Sequence, residues 1–292
     1  MNRRDFLAAG AAALAAGPLL AAESPKTPKL KKAVKYGMVG VKGTPTEKFA
    51  VLKKLGFLGV EIDSPSKGLN LDEIVAATKE TGIVVHGVID SVHWYDTLSH
   101  PDEAVRERGL KALIGAIADA KTVGAETVLL VPGVVNKDAT YEQCWDRSTA
   151  EVKKAIPAAE KAGVKIAIEV VWNNFITKPE QLIEYVDQFK TETVGAYFDV
   201  SNMVKYGVQP ADWIRKLGKR MLKFDFKGFN NDQFKAKKSG WVDIGEGTED
   251  WPEVLKALSE IKYTGWATAE VGGGDEKFLK GVADKMDKVL GL

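Results

Sequence analysis

Cysteine is almost missing from this chain of 292 residues, and histidine is scarce. The single Cys144 excludes an internal disulfide and a thiolate metal cage, so stability has to come from a packed core. Only three histidines occur, His86, His93 and His100, and none has metal-ligand spacing on a helix. An excess of charge of either sign is lacking too: 41 basic residues face 40 acidic ones, a formal net charge of +1. That balance gives no field to gather nucleic acid or anionic lipid, which leaves small neutral molecules as the expected partners. No GxGxxG opens a helix after the first apolar run, so an open doubly wound sheet would lack its usual dinucleotide fingerprint.

What is present begins with a leader. Residues 1–22 hold Arg3-Arg4-Asp5-Phe6-Leu7, an Ala-rich run through Leu20, then Ala21-Ala22. This is the layout of a targeting segment outside the fold, and the paired arginines before Phe6-Leu7 resemble the twin-arginine type. It places the protein in the periplasm or otherwise outside the cytoplasm. An ordinary secretory leader or a retained N-terminal anchor are the alternatives. No membrane span is expected in the mature chain, and residues 23–33, polar and broken by Pro25 and Pro28, suit a linker.

From residue 34 to 292 the composition is that of one globular domain, 45% hydrophobic and 28% charged over the whole chain. Short apolar runs recur near 34–40, 58–62, 83–88, 126–131, 165–171, 194–200, 221–227 and 265–271. Helical patterns lie between them, such as Asp102 to Val123, Tyr141 to Ala162 and Asp275 to Leu290, with Gly82, Gly124 and Gly163 placed as C-terminal caps. Eight strand–helix units over this length predict an α/β fold, a single-domain (β/α)₈ TIM barrel, in preference to an open Rossmann-like sheet.

In a (β/α)₈ barrel the site forms at the C-terminal ends of the strands. The last four runs deliver acids there: Glu169, Asp199, Asp225 and Glu270. A carboxylate in an apolar strand is costly to bury, so four at equivalent places point to function. Crowded together they would repel, and a hard divalent cation relieves that conflict. All-oxygen ligation favours Mg²⁺ or Mn²⁺ over Zn²⁺. The metal-free alternative pairs Asp225 with Lys223 or Lys227 and leaves Asp199 as a loop cap. Alternation along the seventh run turns Lys223, Asp225 and Lys227 to the lumen and Phe224 and Phe226 to the helices.

Four fragments taken in order carry a family resemblance: Glu169 through Phe175, Tyr197 through Asn202, Gly245-Glu246-Gly247 ahead of Trp251-Pro252, and Gly265 through Glu270. Together they resemble the sugar phosphate isomerase/epimerase family with the xylose isomerase-like TIM barrel. The resemblance implies a metal-dependent sugar isomerase or epimerase with a small carbohydrate substrate and metal ligands Glu169, Asp199, Asp225 and Glu270. It also implies a reaction in which Glu169 and Glu270 exchange protons on opposite faces of a carbon beside a carbonyl, through an enediolate. Two positions depart from the pattern. Asp225 stands where relatives carry a metal-bound His, and Asn202 where many carry a substrate-contacting His. Lyase or hydratase chemistry on keto-sugars or keto-glycosides therefore stays open, as does a degenerate, non-catalytic sugar-binding protein.

Further candidates for substrate contact surround these acids. Glu61 and His86 are expected at the ends of the second and third strands, the histidine with a hydrogen-bonded core role as its alternative. His93-Trp94 lies in the next loop, where relatives carry a similar pair that closes over substrate. Trp172 offers a ring face to sugar C–H bonds or packs the barrel rim. Lys223 and Lys227 flank Asp225 as ammonium groups. The run Lys235 to Lys238 reads as a solvated face, with a hold on a phosphate or uronate carboxylate as its alternative. Nothing in the sequence fixes the oligomeric state, and an oligomer is compatible with it.

Overall fold

The barrel begins earlier than the composition of its first residues suggests. The computed structural model describes residues 28–66 and 68–292, and β1 already spans Lys31–Lys35, ahead of the expected start at 34. The lysines that gave this stretch the look of a linker are built into the fold. Lys32 is buried with its ammonium on Asp287 of the last helix at 2.5 Å, and Lys35 points into the lumen. The leader expected at 1–22, and the linker up to residue 27, lie outside the described residues.

Strands and helices then alternate: α1 Pro45–Lys54, β2 Gly59–Ser64, α2 Leu71–Thr81, β3 Val84–Asp90, α3 Glu103–Val123, β4 Thr127–Leu130, α4 Tyr141–Ala162 and β5 Lys165–Glu169. The second half runs α5 Pro179–Asp187, β6 Val194–Asp199, α6 Pro210–Leu217, β7 Met221–Phe226, then β8 Gly228–Phe229, α7 Asn231–Lys235 and β9 Trp241–Val242. It ends with α8 Trp251–Glu260, β10 Trp266–Ala269 and α9 Glu276–Leu290. Eight parallel strands close in the order β1-β10-β7-β6-β5-β4-β3-β2, which confirms the (β/α)₈ barrel and rules out the open sheet. After the seventh strand the chain forms a small antiparallel β8–β9 hairpin enclosing α7, with 235–238, expected as a solvated face, on its exposed tip.

Local chemistry explains the punctuation. Thr44 with Glu47 and Thr140 with Gln143 form capping boxes at the starts of α1 and α4. Gly82, Gly124 and Gly163 end their helices at φ of 79°, 76° and 70°, the left-handed region where a Cβ is penalised. The main core lies between strands and helices, where Phe198 stacks on Trp213 at 5.4 Å and Phe224 and Phe226 are buried. The lumen is different. Apart from a small apolar cluster of Leu129, Ala167 and Tyr197, Lys35, Glu61, His86, Lys223, Asp225 and Thr268 form a buried polar network there.

Two register shifts position that network. Between Ala196 and Tyr197 the β6–β7 pairing slips, which brings Asp199 opposite Asp225. On β7's other edge Asp225 faces Thr268 of β10. A second slip, between Val60 and Glu61, sets Glu61 opposite Gly87. A side chain at Gly87 would collide with the Glu61 carboxylate, so the glycine leaves room for it. Such irregularities commonly re-aim side chains beside a site.

Candidate functional site

The four expected acids converge at the C-terminal mouth. Each of Glu169, Asp199, Asp225 and Glu270 presents an oxygen, and these four atoms lie within 4.8 Å of one another. Strand order explains the geometry: β5, β6, β7 and β10 are consecutive neighbours, so their ends form one arc. The first three acids are buried, while the Glu270 side chain is 39% exposed toward the mouth.

The acids are held in different ways. Asp199 Oδ1 accepts from the backbone N–H groups of Ser201 and Asn202 at 2.7 and 2.8 Å, so it does cap the following loop. Its other oxygen, with Glu270 Oε2, accepts from the Lys227 ammonium at 2.5 Å each. Asp225 pairs with neither Lys223 nor Lys227, the partners a metal-free ion-pair network called for. Its Oδ2 lies 3.0 Å from the Lys35 ammonium, outside hydrogen-bond geometry, and both its oxygens lack a hydrogen-bond partner.

Titration follows from these surroundings. Burial, then the charge of Glu270, pushes Glu169 up to about 8. Burial also raises Asp199, and raises Asp225 well above its ordinary value. Glu270 goes the other way: against its burial, Lys227 and then Lys35 hold it down at about 2. Ionised, the four acids and Glu61 face the ammonium groups of Lys35, Lys223 and Lys227, two negative charges in excess. One divalent cation cancels that excess and gives the Asp225 oxygens, which accept no hydrogen bond, a partner besides the Lys35 ammonium. On both counts the residues present fit a metal ion.

A cavity of 280 Å³ opens above the acids. Glu169, Glu270, Lys227, His93, Trp94 and Asn202 line it, together with Trp172. His93 is buried and its pKa falls to about 4 through desolvation and the nearby Lys35, so the ring is neutral and its Nδ1 accepts weakly from Val131 N–H at 3.4 Å. Trp94 meets His93 edge-on at 5.7 Å and is half exposed. Trp172 is held in place: its Nε1 donates to the Asn202 carbonyl at 2.7 Å, and its ring stacks on Trp241 at 5.0 Å.

Three expected contact residues lie elsewhere. Glu61 and His86 are the third residues of β2 and β3, not the last, and with Lys223 they are buried in the lumen and do not line the cavity. The extra length of β3, which runs on to Asp90, leaves His86 deep in the barrel. There it stacks on Trp266 at 4.5 Å, has Lys223 Nζ 2.6 Å from Nδ1, and bonds Thr268 at 3.3 Å. Its core alternative is the one that fits. Lys35 and Trp241 are cavity residues that sequence reading passed over. Strand alternation from Ala33 offered a signal for Lys35. Trp241 had none, because its place depends on the hairpin.

Comparison with known proteins decides the family. The model of the xylose isomerase-like TIM barrel matches residues 49–287. The chain belongs to this family. Among relatives of the xylose isomerase-like barrel, L-ribulose-5-phosphate 3-epimerase UlaE of Salmonella paratyphi A is 24% identical over 233 residues, 75% of this chain and 79% of that protein. The uncharacterized protein MJ1311 of Methanocaldococcus jannaschii is 27% identical over 204 residues, 65% of this chain, and the chain spans 64% of its length. Two solved barrels share the fold: 3-keto-D-glucoside 4-epimerase YcjR of E. coli, with TM-score 0.76, 17% identity and coverage of 90% and 100% of the two chains, and the zinc-bound IOLI protein, with TM-score 0.74, 18% identity and coverage of 89% and 98%. At a coarse level the barrel's relatives are sugar epimerases, and its carboxylate cluster is one that could hold a metal. No described helix is long and apolar enough to cross a membrane.

Proposed function

We propose that this protein is a metal-dependent sugar epimerase or isomerase that moves a proton on a carbon beside a carbonyl. The convergence of Glu169, Asp199, Asp225 and Glu270 carries this reading. These four would hold a divalent cation, Mg²⁺ or Mn²⁺ by their all-oxygen character, which when bound would polarise the substrate's carbonyl oxygen. Glu169 and Glu270 stand at the two ends of the arc, with β6 and β7 between them, which lets them address the sugar from different sides. Glu169 takes the proton from the carbon, and Glu270 delivers one to its other face. Without a cation Glu169 is held up at about 8 and Glu270 down at about 2, the reverse of what base and proton donor need, so these roles require the charge of a bound cation to bring Glu169 down. Lys227 sits against Glu270 and steadies the negative charge that develops on the sugar. Trp94, half exposed, offers its ring to the C–H bonds, whereas Trp172, stacked on Trp241 and with the Lys205 ammonium 3.9 Å from its ring centroid, packs the rim. Export through the segment 1–22 is part of the same proposal, which gives a substrate met outside the cytoplasm.

The test is proton NMR in D₂O with a panel of ketoses and 3-keto-glycosides. We expect deuterium at one carbon next to the carbonyl, lost on chelation and restored by Mn²⁺ or Mg²⁺. Metal-bound protein that exchanges no proton on any member of the panel rejects the reaction and leaves a sugar-binding protein. Exchange followed by release of a β-substituent assigns elimination instead of epimerisation.

Asp225→His separates ligand from ion-pair partner. If Asp225 binds the metal, imidazole keeps a ligand in place, and calorimetry is expected to show Mn²⁺ affinity retained or strengthened, with preference moving from Mg²⁺ toward softer ions. Unchanged affinity and selectivity would place Asp225 with Lys35 alone.

A further inference from the structure

A larger space adjoins the catalytic cavity. Lys227, Trp241 and Glu270 line both, so a groove of 870 Å³ starts beside the acid assigned to proton delivery. It runs between the strand-and-turn segment 241–244 and one face of α9, where Phe278, Gly281 and Lys285 are exposed to it. The catalytic cavity, at 280 Å³, falls just below the range of ligand sites, about 300 to 1,000 Å³, and leaves no room for a second sugar ring. The groove remains to be explained.

Its lining selects the occupant. Trp241 and Phe278 are 39% and 40% exposed, two of the few large apolar side chains left open on the described surface. Both line the groove, Trp241 with the ring surface left open by its stacking on Trp172, and give apolar surface for the C–H face of a pyranose ring. Three lysines there, 227, 277 and 285, are matched by Asp243, Glu270 and Asp275. Lys285 pairs with Asp243 and Lys227 with Glu270. The Asp275 carboxylate caps α9 by accepting from Phe278 N–H at 2.9 Å, Glu276 follows it, and the Gly274 N–H is bonded to the Met38 carbonyl at 3.0 Å. A phosphate at this helix start would meet two carboxylates in place of free N–H groups. With the charges balanced, an uncharged ring bearing hydroxyls fits this lining better than an anion.

We infer that the groove is a second-ring subsite, which receives an uncharged glycosyl group attached to the sugar held over the four acids. The inference rests on the proposed reaction for the position of the first ring, and it makes glycosides of two or more rings, not sugar phosphates, the substrate class.

Gly281 provides the test. A Cβ there meets nothing within 4 Å, so Gly281→Phe fills the groove from inside a helix without displacing backbone or touching the four acids. Binding of methyl β-glucopyranoside, methyl β-cellobioside, methyl α-maltoside and glucose 6-phosphate to the intact, Mg²⁺-loaded protein is measured by saturation-transfer NMR and titration. At least one two-ring probe is expected to bind about tenfold or more tighter than the one-ring probe, a difference of about 1.4 kcal/mol. Gly281→Phe, and less completely Phe278→Ala, removes that advantage and leaves one-ring binding within about twofold. Equal affinity of one-ring and two-ring probes, an advantage that survives both variants, or tightest binding of the phosphate overturns the subsite. So does a dimer in solution that Gly281→Phe dissociates, which would assign the groove to a second copy of the chain. Because these readouts need no turnover, loss of proton exchange with the two-ring advantage intact rejects the proposed reaction and keeps the subsite.

Discussion

Glu169→Gln is expected to slow proton exchange on a confirmed substrate by about 10³-fold or more, the upper part of what a positioned base contributes. The argument turns on what the amide keeps. Glutamine has the size of the buried glutamate and retains one oxygen able to face a cation, but it cannot take a proton. Metal binding should therefore survive, weakened by the loss of one charge, and calorimetry on the same preparation reports it. The change also removes a carboxyl that burial and Glu270 hold up at about 8 in the metal-free protein, so the variant is expected to fold at least as well as the parent. Exchange lost with metal retained assigns Glu169 as the base. Exchange that persists near the parent rate would move that role to Glu270, whose carboxylate Lys227 and Lys35 keep ionised.

How much of this site was legible in the sequence depends on whether a residue's role is set by its own strand or by a neighbour. Glu169, Asp199, Asp225 and Glu270 could be read because each is an acid ending an apolar run, and barrel topology puts such ends side by side. Gly82, Gly124 and Gly163 were legible for a similar reason, since helix ends have local chemistry. Depth in the lumen was not legible. It depends on where each strand starts and on pairing slips such as that between Val60 and Glu61, so Glu61 and His86 looked like rim residues. β1 was misplaced because its lysines serve as lumen and helix partners, which periodicity of apolar residues cannot detect. The wall made by Trp241 and Phe278 comes from a hairpin and a helix well separated in sequence, and only the folded chain brings them to one groove.

Lys35 supports the acids from below, and its removal is expected to have the largest effect on stability. Its ammonium donates to Glu61 Oε2 at 2.7 Å and to the Tyr197 hydroxyl at 3.4 Å, and lies 3.0 Å from Asp225 Oδ2. Although burial pulls its pKa down, Glu61, Tyr197 and Asp225 together push it well above the usual lysine value. A lysine raised in the folded state contributes fully below its unfolded pKa of about 10.4, so the contribution is complete at neutral pH and is lost only as pH climbs through the folded value. Lys35→Met keeps the apolar stem and leaves Glu61 and Asp225, both fully buried, without that charge. Breaking a buried pair on one side costs about 3–5 kcal/mol, a fall in Tm of roughly 6–20 °C for a domain of this size. Two controls distinguish charge from packing. Adding Glu61→Gln to Lys35→Met should recover a large part of the loss, because one orphaned charge disappears with its partner. Saturating Mn²⁺ should stabilise Lys35→Met by more than it stabilises the parent, since the cation then answers Asp225 alone. A Lys35→Met protein that melts with the parent, or gains no more from Mn²⁺ than the parent does, would show that Asp225 needs neither the lysine nor the metal.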